Sequence, residues 1–182
     1  MTFINSLITA RALLQQGKII AYPTETVYGL GCDPFNQQAV QRLLALKQRE
    51  VSKGLILLIA DWSQLAPLIQ PIAEPLLDAV RQTWPGPVTW IFPKSDIIPD
   101  WVSGQHDGIA IRMSAHPIAG KICLDGPIVS TSANISGHSS AIDVASLCAQ
   151  FPHGIDAVLE GQLGTDGPHT AIYDVQSGQR LR

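Results

Sequence analysis

The sequence predicts an α/β domain built on a mixed sheet, and three observations carry that expectation. Short apolar runs bounded by Gly, Pro, Asp or Ser alternate with stretches whose apolar residues recur at helical spacing. The runs are unevenly spaced, which favours a mixed sheet over a regular series of parallel crossovers. The chain's 182 residues, 46% apolar and 15% charged, suffice for one core, so a single domain over residues 1–182 is expected.

Ile4, Leu7, Ile8, Arg11 and Leu14 fall at helical spacing behind the candidate caps Thr2 and Asn5, and Gly17 closes the stretch. The first element is therefore expected to be an amphipathic helix. Residues 18–22 read as a buried strand. Asn36 can cap a second helix in which Ala39, Val40, Leu43, Leu44 and Lys47 share a face, and which ends near Gln48. Further strands are expected at residues 55–60, 88–92, 108–113, 127–130, 157–160 and 170–175, with helical patterns at 62–69, 74–83 and 142–150. The Pro- and Gly-rich stretches 84–87 and 161–168 read as ordered loops, and no repeat or low-complexity segment interrupts the pattern.

With a formal net charge of -3 and a pI near 5.9, the chain has no overall positive field to hold a polyanion. Any phosphate site must be local. Cys32, Cys123 and Cys148 are odd in number and never form C-x-x-C, which argues against a disulfide framework or zinc ribbon and for a reducing cytoplasm. No apolar run approaches the roughly 18 residues of a membrane span, and no basic region precedes the first apolar stretch as in a signal peptide. A cytoplasmic protein starting near Met1 and making no membrane contact is expected.

Arg42, Lys47, Arg49 and Lys53 crowd the end of the second helix and the loop after it, opposed only by Glu50. Such a cluster can complement the helix C-terminus, or it can converge on nucleotide phosphates. Ser130-Thr131-Ser132-Ala133-Asn134-Ile135-Ser136-Gly137 places hydroxyls and an amide directly after a strand, as an anion-binding loop or a polar turn. Residues 23–31 contain Gly29 and Gly31, but Pro34 replaces the third glycine of G-x-G-x-x-G, so the dinucleotide fingerprint is rejected. P-loop, H-E-x-x-H and G-x-S-x-G motifs are absent. His106, His116, His138, His153 and His169 show no ligand spacing, and no metal-ligand set is expected. Arg112 directly follows the apolar Ile109-Ala110-Ile111, where a guanidinium can meet an amino-acid carboxylate or serve a structural ion pair.

In their joint order these blocks resemble the YrdC-like threonylcarbamoyl-adenylate synthases over nearly the whole chain. The matching stretches are residues 23–31, Lys47-Gln48-Arg49 with Lys53-Gly54-Leu55, Trp84-Pro85-Gly86-Pro87-Val88-Thr89, Ala110-Ile111-Arg112 and Ser130 through Gly137, with the Lys-x-Arg plus Ser-x-Asn pair the most specific. The resemblance implies a twisted mixed sheet with flanking helices and a concave central cleft, in the short single-domain form. It implies an enzyme that joins L-threonine, bicarbonate and ATP into threonylcarbamoyl-AMP and pyrophosphate, with Mg²⁺ carried on the nucleotide. The product would serve a tRNA threonylcarbamoyl-transferase complex.

By the same resemblance Lys47, Arg49, Ser132 and Asn134 would hold the phosphates and carry the chemistry, with Lys53, Ser140 and Arg182 also near ATP. Thr26, Arg112, Ser130 and Thr170 would hold threonine. The chain departs from the family pattern at Glu50 and Gly54, where prolines are usual, at Leu58, where longer members have a histidine, and at Thr170-Ala171, where Ser-Thr is usual. One rival is a module that binds tRNA or double-stranded RNA without making an adenylate; it is opposed by the net negative charge and by the lack of basic residues interleaved with aromatics. Another is a carbamoyl-phosphate-using maturation factor, whose zinc-finger and acylphosphatase segments are not present in this chain.

Overall fold

The computed structural model describes residues 1–164 and 170–182; His169 and the latter part of the expected 161–168 loop lie outside the described residues. Among the described residues, nine strands form one sheet: β1 (Thr2–Ile4), β2 (Ile20–Pro23), β3 (Tyr28–Cys32), β4 (Ile56–Ile59), β5 (Val88–Pro93), β6 (Gly108–Met113), β7 (Ile128–Ser132), β8 (Ala157–Leu159) and β9 (Ala171–Asp174). Their order is β1-β8-β2-β3-β7-β4-β6-β5-β9. The sheet is mixed as expected: β1/β8, β2/β8, β4/β6 and β5/β9 are parallel, while β2/β3, β3/β7, β4/β7 and β5/β6 are antiparallel. The helices are α1 (Leu7–Gln15), α2 (Gln37–Lys47), α3 (Glu74–Thr83), α4 (Asp100–Ser103), α5 (Ala119–Ile122) and α6 (Val144–Gln150).

Local chemistry explains the helices that the sequence predicted. Asn36 Oδ1 accepts from the Ala39 N–H at 3.0 Å to start α2, and Gln48 closes it in the left-handed region at φ 50. Other elements correct the sequence reading. The first helix starts at Leu7 under a Ser6 cap, and Ile4 belongs to β1, because the first residues pair with β8 and that pairing overrides the helical spacing. Residues 62–69 form only two 3₁₀ turns, Trp62–Gln64 and Ala66–Leu68; Pro67 has no N–H with which to continue a longer helix. Asp143 caps α6, which therefore begins at Val144. Residues 28–32, outside every strand expected from the sequence, form β3.

Alternation along the strands splits the sheet into two faces. On one, Leu30, Leu57, Trp90, Ile111 and Val129 pack with Leu43 of α2, Val80 of α3, Val102 of α4 and Leu147 of α6 in the larger core. On the other, Ile20, Tyr22, Leu58 and Ile128 pack with Ala10 and Leu14 of α1 and Ala119 and Ile122 of α5. Those two short helices cover only part of the second face. The remainder is open.

Candidate functional site

The open part of the second face is a cleft of about 530 Å³. Its shape starts with two glycines. On this face β3 offers only Gly29 and Gly31; a Cβ at Gly31 would lie 2.8 Å from the Val129 carbonyl oxygen and 3.0 Å from the Tyr22 ring. Without side chains there, Tyr22 reaches across β3 and its hydroxyl donates to Ser130 Oγ at 2.7 Å. The glycine pair thus serves close packing rather than a pyrophosphate. Burial pushes the Tyr22 phenol well above its ordinary range and keeps it the donor, which leaves the Ser130 proton free to donate into the cleft.

Of the residues nominated from sequence, Thr26, Arg49, Arg112, Ser130, Ser132, Ser140, Thr170 and Arg182 all line this one cleft. They come from strands and loops spread over the chain, and the sheet order gathers them. Lys47, Lys53 and Asn134 are not on its wall. Lys53 is exposed in the turn after α2. Arg42, the fourth member of the basic cluster, turns away to pair with Asp156 at 3.0 Å.

Lys47 is buried, contrary to a solvent-facing helix end. Its ammonium donates to the Ser132 carbonyl, to the Asn134 carbonyl at 2.8 Å and to Asn134 Oδ1 at 3.4 Å, while its own carbonyl accepts from Ser136 N–H at 2.8 Å. Burial, with a smaller push from the charge of Arg49, draws its pKa down to about 8. Asn134 is equally committed: its Oδ1 accepts from Ser132 Oγ at 2.6 Å, and its Nδ2 donates to the carbonyls of Ile135 and His138, each at 3.0 Å. The Lys-x-Arg and Ser-x-Asn blocks therefore meet, with Lys47 and Asn134 as the lock of the loop that presents Ser132.

Arg49 does face the cleft. Its Nη2 donates to the Gly54 carbonyl at 3.0 Å, its buried Nε has no partner among the described residues, and burial followed by the charge of Arg182 lowers its pKa. Among the described residues neither Arg49 nor Arg182 pairs with an Asp or Glu side chain. Two guanidinium groups that influence each other's charge, neither paired with a carboxylate side chain among the described residues, have the chemistry to bind an anion.

At the other end Arg112, inside β6, is fixed on three sides. Nε donates to the Gly86 carbonyl at 3.1 Å, Nη1 donates to Thr170 Oγ1 at 2.8 Å, and Nη2 forms an ion pair with Glu25. The sequence reading missed Glu25. Its Oε1 also accepts from Ser114 Oγ at 2.6 Å. Burial alone would raise the Glu25 pKa, but the Arg112 charge, with hydrogen bonds from Ser114, the local backbone and Arg112, holds it below the usual carboxylate value. Ser114 Oγ in turn accepts from the His116 N–H at 3.1 Å. His116 Nδ1 accepts from the N–H groups of Ile118 and Ala119, so Nε2 carries the proton toward the Gln162 carbonyl 3.2 Å away. A carboxylate, two hydroxyls and two carbonyls thus orient a guanidinium on the cleft wall.

The sequence matches the Sua5_yciO_yrdC family, described as "Telomere recombination", over residues 12–182. It is 48% identical over 182 residues to the threonylcarbamoyl-AMP synthase of Coxiella burnetii (strain RSA 493 / Nine Mile phase I), covering 99% of this chain and 98% of the relative. It is 51% identical over 171 residues to the threonylcarbamoyl-AMP synthase of Methylococcus capsulatus (strain ATCC 33009 / NCIMB 11132 / Bath), covering 93% and 92%. Among solved structures, P. abyssi Sua5 complexed with L-threonine superposes with a TM-score of 0.87 at 34% identity, over 96% of this chain and 54% of the longer Sua5 chain.

Proposed function

Because the chain belongs to the Sua5_yciO_yrdC family, we propose that it is an L-threonylcarbamoyladenylate synthase, a nucleotidyltransferase that condenses L-threonine, bicarbonate or CO₂, and ATP. The observation that carries this reading is one cleft with Arg49 and Arg182, which pair with no carboxylate side chain among the described residues, at one end and the oriented fork of Arg112 with Thr170 at the other. The first end suits a polyphosphate and the second an amino-acid carboxylate.

The threonine amine first adds CO₂, or bicarbonate with loss of water, to give a carbamate. A carbamate oxygen then attacks the α-phosphorus; the new P–O bond forms as the α–β bridging bond breaks and its electron pair leaves with pyrophosphate. Such a transfer depends on alignment and on neutralised phosphoryl charge, and no covalent enzyme intermediate is required. Arg49, Arg182, Ser132 and Ser140 hold the phosphate side, Lys47 and Asn134 keep the Ser132 loop in place, and Lys53, exposed in the turn after α2, adds positive charge for ATP. Arg112, Thr26, Ser130 and Thr170 hold threonine.

Mg²⁺ would be carried with the nucleotide and would neutralise phosphoryl charge; among the described residues no three His, Cys, Asp or Glu side chains converge on a site of their own. The product passes to a tRNA threonylcarbamoyl-transferase complex in the cytoplasm. A module that only binds RNA fits less well, because Arg42 is spent on Asp156 and Lys47 is buried, which breaks up the basic cluster that reading needs.

Pyrophosphate release should require L-threonine and bicarbonate together, and mass spectrometry should detect threonylcarbamoyl-AMP. Pyrophosphate formed without threonine, or no adenylate product, would overturn the assignment.

A further inference from the structure

Thr89 closes the Trp-Pro-Gly-Pro-Val-Thr stretch and has no part in the chemistry described above. It lies on β5 with no solvent exposure, yet it forms part of the cleft wall. Among the described residues its Oγ1 has no hydrogen-bond partner. Buried hydroxyls nearly always find one, because losing water without replacement is unfavourable. On the wall of a binding cleft the missing partner is a group of the ligand.

The strand register identifies that group. Trp90 stands opposite Ile111 across the β5/β6 pair, so Thr89, one step further along, flanks Arg112 and shares its face. On the other side of Arg112, Leu58 of β4 is in register with it. Arg112 therefore has a hydroxyl on one flank and only methyl groups on the other. Side chains facing each other across an antiparallel pair are about 4.5–5.5 Å apart, so an amino acid held by its carboxylate at Arg112 has its β-substituents within reach of both flanks.

We propose that Thr89 is a specificity-determining residue: its hydroxyl bonds the β-hydroxyl of bound L-threonine, while the β-methyl turns toward Leu58. This rests on the threonine subsite proposed at Arg112. An amino acid without a β-hydroxyl leaves Thr89 Oγ1 unpaired, and a site with a buried polar group rejects the analogue that cannot satisfy it.

The test compares L-threonine with L-2-aminobutyrate, which keeps the methyl and lacks the hydroxyl, on the parent, Thr89→Val and Thr89→Ser. Adenylate formation and calorimetric binding are both read. Thr89→Val should lower kcat/KM for threonine about ten-fold or more and leave that for aminobutyrate unchanged or higher, so that the preference collapses, while Thr89→Ser keeps it. Equal losses for both amino acids, or an unchanged preference, would overturn the proposal. Thermal melting checks the fold, and Thr89→Ala is the second hydroxyl-free variant should Thr89→Val not fold. A parent that binds and discriminates the two amino acids but makes no pyrophosphate would fail the synthase reading while still deciding the role of Thr89.

Discussion

Ile111 and Arg112 are neighbours on β6 that serve opposite faces of one sheet. Ile111 is fully buried in the larger core under α2 and α3, whereas Arg112 stands on the cleft face and is held by Gly86, Thr170 and Glu25. The same alternation separates Leu57 from Ile56 and Trp90 from Thr89: the first of each pair packs in the core and the second lines the cleft. One face of each strand is chosen for volume and the other for polar groups held at fixed positions. Strands with this division of labour look merely apolar in sequence, because a single polar residue in a run is easily read as its end.

The largest effect that tests this division is a paired substitution on β6. Ile111→Ala should cost about 2–5 kcal/mol of stability through lost burial and a cavity in a region with no slack. Arg112→Lys should leave the denaturation midpoint much closer to the parent but raise the threonine requirement about ten-fold or more, since an ammonium cannot point along the three directions of the fork. Urea titrations and threonine-dependent pyrophosphate release separate the two. Comparable stability losses with normal threonine dependence in Arg112→Lys would erase the distinction and make Arg112 a structural ion-pair residue.

A smaller effect sharpens the contrast within the Lys-x-Arg motif. Lys47→Met keeps length but strands the Ser132 and Asn134 carbonyls, at about 1–3 kcal/mol for each acceptor left buried without a donor. It should lower the melting temperature as well as ATP use. Arg49→Ala should raise the ATP requirement about ten- to a hundred-fold at nearly unchanged stability, because its guanidinium faces the cleft and pairs with no carboxylate among the described residues. Calorimetric titration with ATP and thermal melting of both variants decide this; equal melting temperatures would return Lys47 to the role of a direct phosphate ligand.

These contrasts also mark how far the sequence could be read. The helices α2 and α3 were legible because the Asn36 cap of α2, the first-turn proline of α3 and the periodicity of both are local to the segments. Strand β1 was not, because its conformation comes from pairing with β8 at the other end of the chain. Strand β3 was hidden by the glycines that let Tyr22 cross it. In the site, most residues named from motif order line one cleft, yet motif order could not tell a cleft-facing Arg49 from a loop-locking Lys47. Glu25 and Tyr22 escaped because their partners, Arg112, Ser114 and Ser130, are close only after folding. Thr89 was quoted within a motif, but its missing partner is a fact of three dimensions.

The smallest expected effect concerns Glu25, which belongs to the cleft face and still contributes to stability. Its folded-state carboxyl titrates below the ordinary value of 4.5, because the charge of Arg112 and the Ser114 hydrogen bond outweigh the upward push of burial. A depressed carboxylate pKa means that, between the folded and unfolded values, the unfolded chain binds more protons than the native one. Stability from Glu25 is therefore present above about pH 4.5 and is lost as pH falls through the lower folded value. The pair is only partly shielded, with side-chain exposures of 12% for Arg112 and 23% for Glu25, so Glu25→Gln should cost on the order of 1 kcal/mol at neutral pH. That difference should shrink toward zero in acid, where the parent carboxyl is also neutral. Urea midpoints of parent and variant at stepped pH values, with threonine dependence measured at pH 7, test both roles: a constant offset at all pH values would mean that Glu25 acts by shape rather than charge. A normal threonine requirement in the variant would mean that Arg112 keeps its orientation without it.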